Sequence, residues 1–491
     1  MHEIEILKSQ LQACKNSDEK IEAELNRKKE SFEDLIKHEA NGAFVRSRAQ
    51  YKMDGEKPSK LFCSLEKHNG VQRYVPQLIV TQEDGRDVLI NDQQEVETEI
   101  CKFYKNLFSN KDNNLESQSI ESFLGSGSNT IPKLSEDQKQ KMEGKISLEE
   151  MSNYLKKCKN NVAPGSSGFT FDFYKFFWRN LKYFIVQAVD YAFDNNRLSV
   201  SQSLGLINII PKGEKDKRYL SNWRPLCLLN SLYKLISGTI AERIKPTLDT
   251  IIHTDQKGFV AGRYIGEVVR TTYDIFQYAK DTNKAGLLLL IDFEKAYDSI
   301  SFSYINKCLN FFNFGPEMIK WIEILLHNFS SAINHCGNIS KQFSIGRGCR
   351  QGDPIASYLF ILCIEILAHK LRSDPIVSSF EIGQTSHLLE IYADDMSVFL
   401  KPDPDNIRHV VGILDKFFKL SGLTISVTKS KAIWFGSNCN SSAKLCPELG
   451  LVRVKNFTLA GINFDNNLTK MEQNFEDKIE KIEKMLSCWF Y

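Results

Sequence analysis

Tyr392-Ala393-Asp394-Asp395 stands between the apolar stretches Leu388-Leu389 and Val398-Phe399-Leu400, and its adjacent carboxylates are the residues best suited to chemistry in this chain. Side by side at the tip of a strand–turn–strand unit they repel each other, and a divalent cation beside them relieves that repulsion. A third carboxylate, Asp292, lies 102 residues upstream of Asp394, at the end of the apolar run Leu287-Leu288-Leu289-Leu290-Ile291. One carboxylate closing a buried strand, opposite a pair on a neighbouring hairpin, is the arrangement of a two-metal phosphoryl-transfer site. In such a site hard oxygens hold Mg²⁺ and substrate phosphates complete its octahedron. Taken alone, the Asp pair also fits a solvated turn; what surrounds it decides.

Positioning these groups takes a sheet and covering helices. Residues 287–293 read as a buried strand and 388–400 as the carboxylate hairpin. Ser301 is placed to cap a helix with the apolar face Tyr304, Ile305, Cys308, Leu309 and Phe312. Asp353 and Pro354 fall at the N-cap and first turn of a long apolar helix over 355–371. Ile407, Val410, Val411, Leu414, Phe417 and Phe418 form an amphipathic helix ending at Ser421-Gly422. The order strand, helix, helix, hairpin, helix predicts an α+β sandwich with helices on one sheet face. Upstream, the pattern predicts a charged helix over 1–40 with an interrupted heptad seam. Short strands follow near 72–80 and 88–90, then a Ser/Asn/Gly-rich linker over 109–130 and a helical region over 135–158, broken at 163–168. A strand over 204–211 and a mostly apolar helix over 225–244 complete the upstream half.

At 491 residues the chain has room for two or three domains, and 42% hydrophobic with 25% charged residues is ordinary globular composition. Lys+Arg 63 against Asp+Glu 61 leaves a net charge of +2, so bulk charge does not announce a polyanion partner. Residues 212–270 are different: eleven Lys/Arg against six Asp/Glu, net +5, interleaved with Trp223, Tyr233, Phe259 and Tyr264. That mixture suits a nucleic-acid or nucleotide surface, and by itself equally a solvated face. The twelve cysteines include no Cys-x-x-Cys pair and no His at zinc spacing, which points to reduced thiols. A charged first thirty residues excludes a signal peptide, and no apolar run reaches membrane-spanning length. The expectation is a soluble intracellular protein of nucleus and cytoplasm, with no membrane partner.

The hairpin with Asp394-Asp395, the strand ending in Asp292 and the loop Arg347-Gly348-Cys349-Arg350-Gln351-Gly352-Asp353-Pro354 together resemble a reverse transcriptase. More narrowly the chain resembles the polymerase of a non-LTR (LINE-type) retrotransposon. The narrower likeness is carried by Ile210-Pro211-Lys212, Asn222-Trp223-Arg224-Pro225, Asp255-Gln256-Lys257-Gly258-Phe259, Gly262-Arg263, Asp292-Phe293-Glu294-Lys295-Ala296-Tyr297-Asp298 and Ser421-Gly422-Leu423. It extends from about Gly42 to the end of the chain.

The resemblance implies a right-hand polymerase fold and RNA-templated synthesis of DNA from deoxynucleoside triphosphates. The primer would be a DNA 3′-hydroxyl, in such elements one exposed by nicking the target DNA, with the nicking activity supplied from outside this chain. Asp292 and Asp394 would share two Mg²⁺ (or Mn²⁺) ions, with the Phe293 carbonyl completing one shell and Asp395 in support. Tyr297 would sit under the incoming sugar and exclude a 2′-hydroxyl. Lys212 and Arg224 would hold the triphosphate, Gln351-Gly352 would approach the templated base, and Lys429 would protonate pyrophosphate. An RNA-binding maturase-like role and a non-catalytic nucleic-acid-binding remnant stay open as alternatives.

The implied division is a charged helical segment over 1–40, an N-terminal extension expected to bind RNA over 41–130, fingers over 131–285, and a palm over 286–435. The end of the palm and the start of a truncated thumb occupy 436–491. The chain departs from the family pattern at Ser167 (aspartate usual), Ala356-Ser357 (Ser-Pro), Ser426 (asparagine) and Ala460 (leucine), which together read as drift in a genomic copy.

Overall fold

A computed structural model divides the chain into two compact units, 1–74 and 75–491. It describes residues 74–487 except 83–85, 111–117, 214, 336, 428, 440–451 and 470. The expected helix over 1–40 and the first part of the extension, 41–73, lie outside the described residues.

Seven strands and five helices position the site. The strands are β1 (Leu204–Pro211), β2 (Trp223–Leu229), β3 (Gly286–Ile291), β4 (Ser330–His335), β5 (Leu389–Tyr392), β6 (Asp395–Leu400) and β7 (Lys431–Phe435). The helices are α1 (Ser231–Ile244), α2 (Ile265–Asp281), α3 (Phe302–Phe311), α4 (Ala356–Ser373) and α5 (Pro404–Ser421). Among the described residues no helix is long and apolar enough to cross a membrane.

The central sheet runs β5-β6-β3-β7, with the short strand Val452–Arg453 at its edge. β3 is antiparallel to both neighbours, with Ile291 opposite Met396 on β6 and Leu290 opposite Lys431 on β7. Followed one step past the strand end, the first register sets Asp292 across from Asp395, which puts these two side chains on one face of the sheet. Lys429, in the turn before β7, reaches Asp292 directly.

Helices cover both faces of this sheet, not one as the element order predicts. Leu287, Leu289 and Ile291 pack into a core shared with α3, α4 and α5, while Leu288 packs with Ile275 and Phe276 of α2 and with Phe457 and Phe464 of the hairpin beyond β7. Phe276 stacks on Phe435 at 4.4 Å. The five-residue apolar run of β3 is the cause, because a strand without polar alternation must bury both faces.

A second, five-stranded sheet holds β2-β1-β4, with β1 antiparallel to β2 and parallel to β4. It corrects the helix expected over 225–244. Trp223, Pro225, Cys227 and Leu229 alternate buried with the more exposed Arg224, Leu226 and Leu228, which is strand patterning, and the helix α1 starts only at Ser231. The linker expected over 109–130 is also corrected in its described part. Ser119 caps a helix, Ile120–Leu124, whose Ile120, Phe123 and Leu124 are buried, with Phe123 packed 6.0 Å from Phe417 of α5. Three apolar residues among polar ones outweigh the composition. The region 135–158 is two helices, Glu136–Met142 and Leu148–Lys157, separated at Gly144 (φ +96°), each opened by a capping box, Ser135/Gln138 and Ser147/Glu150. Ser301 caps α3 by accepting from the Tyr304 N–H at 3.3 Å, and Gly422 ends α5 at φ +77°, both as expected.

Candidate active site

The strand hairpin β5–β6 turns through Ala393 and Asp394, because Tyr392 pairs with Asp395. Ala393 takes the left-handed conformation, φ +58°, which lets two residues reverse a twisted ladder. Asp292, Asp394 and Asp395 line one cavity of about 530 Å³. Burial first, and then the charge of Asp292, raise the Asp394 carboxyl above the usual carboxylate range. Asp395 is reached by solvent on the hairpin, yet the protein crowds its carboxyl on the cavity side. That partial burial, followed by Asp394 and Asp292, pushes it up to about 6. Two neighbouring carboxyls raised in this way, with Asp292 beside them, make a place where a divalent cation would relieve the repulsion.

Asp292 is fixed by its main chain. Its N–H donates to the Ser430 hydroxyl at 3.1 Å and its carbonyl accepts from the Ser426 N–H at 2.8 Å. The substitution at Ser426 is therefore without cost to this contact, which uses only the backbone. In the bridge between Phe293 and Ile425 the hydrogen bonds are made by the flanking residues, Ser426 N–H to Asp292 and Glu294 N–H to Thr424, so the Phe293 carbonyl is left outside that ladder. Lys429 donates to Asp292 Oδ1 at 3.1 Å. Both partners are substantially exposed, so the pair adds little stability; what it shows is that Asp292 already accepts a cation.

The donor set fits a hard divalent ion: three carboxylates and a carbonyl, all oxygen. Among the described residues no three acidic, His or Cys side chains are yet closed around one point, and Asp292 would exchange Lys429 for the ion.

Five cations, Lys212, Lys215, Arg224, Lys295 and Lys429, line the same cavity, with Lys429 directly on Asp292. Lys212 donates to the Ser221 carbonyl at 2.8 Å, and its ammonium is held below the usual lysine range by burial first and then by Lys429, Arg224 and Lys215. Arg224 is exposed on β2 and lines the cavity. Trp223, fully buried beside it, donates to the Lys217 carbonyl at 2.8 Å and so anchors the basic loop.

The Tyr297 ring lines the same cavity, stacks on Phe360 of α4 at 4.6 Å and 28°, and hydrogen-bonds Ser357. Burial, then Asp394, pushes its phenol well up. The loop after β4 is zipped onto this segment: Cys349 N–H donates to the Tyr297 carbonyl at 2.6 Å and Gly348 N–H to the Ile300 carbonyl at 2.8 Å. The Gln351 carbonyl accepts from Cys227 N–H of β2 at 3.2 Å, and Gly352, at φ +106°, lies where a Cβ would meet the Cys227 carbonyl at 2.9 Å. Gln351 lines the cavity; Gly352 does not, and serves the turn.

Asp353 is not the N-cap of α4. The helix starts at Ala356 with Ile355 at its cap; the buried Asp353 carboxylate accepts from the Ile355 N–H at 3.3 Å and is otherwise held by groups outside the helix. It accepts from the Tyr233 hydroxyl at 2.6 Å, from Ser237, and from Arg350 Nη2 at 3.1 Å, while the Arg350 guanidinium lies 3.7 Å from the Phe329 ring centre. This buried network ties the 347–354 loop to α1 and to Phe329, just before β4.

Of the ten expected site residues, nine line this one cavity and Gly352 adjoins it. Lys215, Lys295 and Asp298 also line it and were not expected. Lys295 turns at φ +47°, lies 4.0 Å from the Phe103 ring, and is lowered to about 8 by burial first, against the pull of Asp298. Asp298 is raised to about 7 by burial, with Lys295, Lys212 and Arg347 opposing. Their signal in the sequence was a Lys and an Asp within a strongly patterned motif, with no indication of burial.

The profile of the family described as reverse transcriptase (RNA-dependent DNA polymerase) matches residues 210–464, a range that contains every expected site residue. The chain is 29% identical over 433 residues to a 149 kDa protein of transposon TX1 from Xenopus laevis, covering 88% of this chain and 32% of that protein. It is 26% identical over 228 residues to the retrovirus-related Pol polyprotein from type-1 retrotransposable element R2 of Popillia japonica, covering 46% and 31%. With the Pol polyprotein from type-2 retrotransposable element R2DM of Drosophila melanogaster the identity is 22% over 223 residues, covering 45% and 20%. The chain thus spans a third or less of the length of these curated relatives. With the profile covering more than half of it, and with these relatives, the chain belongs to the reverse transcriptase family, in its non-LTR (LINE-type) retrotransposon branch.

Proposed function

We propose that this chain is an RNA-directed DNA polymerase, which extends a DNA 3′-hydroxyl on an RNA template with deoxynucleoside triphosphates. In its element the primer is a nick in target DNA. The observation that carries this reading is the single cavity lined by Asp292, Asp394 and Asp395 together with five basic residues. Its volume, about 530 Å³, suits one nucleotide. The second sheet with its helices corresponds to the fingers and the central sheet to the palm of a right-hand polymerase.

Asp292, Asp394, Asp395 and the Phe293 carbonyl would hold divalent cations, Mg²⁺ as a rule in this family. When bound, these supply the acidity that deprotonates the primer hydroxyl and the positive charge that stabilises the pentacoordinate phosphorus. The chain's own residues do the rest. Arg224 and Lys212 orient the triphosphate, with the guanidinium fork matched to phosphate oxygens. Tyr297, held by Phe360 and Ser357, sets the floor under the sugar. The Gln351 backbone, pinned to β2, fixes the surface against which the templated base pair rests. Lys429, released from Asp292, is placed to give a proton to departing pyrophosphate.

The direct test is extension of oligo(dT) on poly(rA) with dTTP and Mg²⁺, with and without a chelator. Chelator-sensitive incorporation is expected. No incorporation by a folded chain that binds the template would make it a non-catalytic remnant.

A further inference from the structure

The site as described makes no use of the segment 255–263, although it runs beside the carboxylate hairpin. Gln256 is 2% exposed, and its side-chain amide grips the apex of that hairpin. Its Oε1 accepts from the Ala393 N–H at 2.8 Å and from the Gly258 N–H at 2.8 Å; its Nε2 donates to the Ala393 carbonyl at 3.3 Å. The main chain adds two bonds, Ile391 N–H to the Asp255 carbonyl at 2.9 Å and Lys257 N–H to the Ile391 carbonyl at 2.7 Å.

The gripped residue needs support. Ala393 sits at φ +58°, a conformation that a residue with a Cβ adopts only at a cost. It is also the residue from which Asp394 departs. The grip in turn has an anchor. Arg263 donates to the Gln256 carbonyl at 2.8 Å and to the Ile252 carbonyl at 2.9 Å. Arg372 of α4 pairs with Asp255 at 2.9 Å and also with the buried Glu365. Gly258 completes the fit, since a Cβ there would stand 2.6 Å from the Ala393 nitrogen.

We infer that Gln256 is a positioning residue of the catalytic centre: by holding both main-chain polar groups of Ala393 it sets the direction in which Asp394 and Asp395 face Asp292. The inference rests on reading those carboxylates as cation ligands. It makes a distinct claim, that their convergence depends on a side chain which touches neither substrate nor metal. Few replacements can do the same work. Asn is one methylene shorter, Leu offers no polar atom, and an ionised Glu keeps the acceptor for both N–H groups but loses the donor to the carbonyl.

The test compares the full chain with Gln256→Leu and Gln256→Glu. Four readouts are taken: Mn²⁺ binding by electron paramagnetic resonance, amide exchange across 389–396, single-nucleotide kcat and KM, and melting temperature. For Gln256→Leu, exchange at the hairpin should quicken, Mn²⁺ affinity should fall about tenfold, and kcat should fall by about ten- to a hundredfold, as displacement of a catalytic group by about an ångström does. Nucleotide KM and primer–template affinity should stay within about twofold of the parent, since neither contact involves Gln256. Gln256→Glu should recover part of each loss, and carries the same test if the Leu variant does not fold. Unchanged Mn²⁺ affinity and hairpin exchange in a folded Leu variant would overturn the inference. So would losses in both variants that fall equally on KM, primer–template affinity and stability, because that pattern belongs to packing alone. If the parent binds Mn²⁺ but incorporates no nucleotide, the polymerase reading fails while binding and exchange still decide the role of Gln256.

Discussion

Replacing Tyr297 separates two things its ring does. The ring is half-buried, stacked on Phe360 at 4.6 Å, with its hydroxyl bonded to Ser357. Complete loss of a fully buried aromatic costs about 3–5 kcal/mol, so Tyr297→Ala should cost about 2 kcal/mol, with the chain still folded. The floor under the sugar goes with the ring, and removing a steric clash favours only the ligand that suffered it. The ratio of kcat/KM for deoxyribonucleotide over ribonucleotide should therefore drop by about ten- to a hundredfold, or about 1.4–2.7 kcal/mol. Tyr297→Phe keeps the ring and loses one hydrogen bond, so it should cost about 1 kcal/mol or less and leave selectivity as it was. The assay is single-nucleotide insertion on one primer–template with each nucleotide in turn. An unchanged ratio in folded Tyr297→Ala would reduce the ring to a core contact. An equal loss in Tyr297→Phe would move selectivity from the ring to the hydroxyl and Ser357.

Asp353→Ala leaves the Arg350 charge buried without its carboxylate and should destabilise the chain by about 3–5 kcal/mol in denaturant titration; a loss below about 1 kcal/mol would show the network to be incidental. Glu390 is raised to about 7 by burial, against an ordinary value of 4.5, and its buried Oε2 has no hydrogen-bond partner among the described residues. The folded chain therefore keeps a proton that the unfolded chain loses, so the penalty grows as pH rises from 4.5 to about 7 and is constant beyond. Glu390→Gln should gain stability relative to the parent between pH 5 and pH 8, by up to about 3 kcal/mol, and a pH-independent melting difference would contradict this. Primer–template affinity should fall steeply with salt, as phosphate contacts require, while Arg224→Ala should raise nucleotide KM about tenfold and leave that affinity within about twofold; the reverse pattern would take Arg224 out of the triphosphate site.

The chemistry was more legible than the architecture. Asp292, Asp394 and Asp395 stood out because adjacent carboxylates at the ends of apolar runs contradict their surroundings, and the sheet register then brings them together. The strand β2 was hidden because Trp223–Leu229 alternates over only seven residues before the apolar face of α1 begins, so the two periods merge into one apolar stretch. The second covered face of β3 was foreshadowed in its unbroken leucines, but α2, which supplies the cover, gives no hint of its target. Asp353 followed by Pro354 carries a helix-start signature; only the tertiary contact with Arg350, Tyr233 and Ser237 redirects the carboxylate. Gln256 stands in a motif legible in the sequence, but nothing local shows its positioning role, since the hairpin residue it grips is 137 residues away.

The central claim is that Asp292 and Asp394 carry nucleotide transfer on an RNA template. It is tested most directly by single-turnover extension of a DNA primer by the parent, Asp292→Asn and Asp394→Asn at saturating Mg²⁺, with each melting temperature in hand. Extension by the parent is expected, with at least about a thousandfold loss in each variant at a melting temperature equal to or above that of the parent, because each substitution removes a metal anchor and relieves carboxylate repulsion. Extension by folded Asp394→Asn at a rate near that of the parent would contradict the claim.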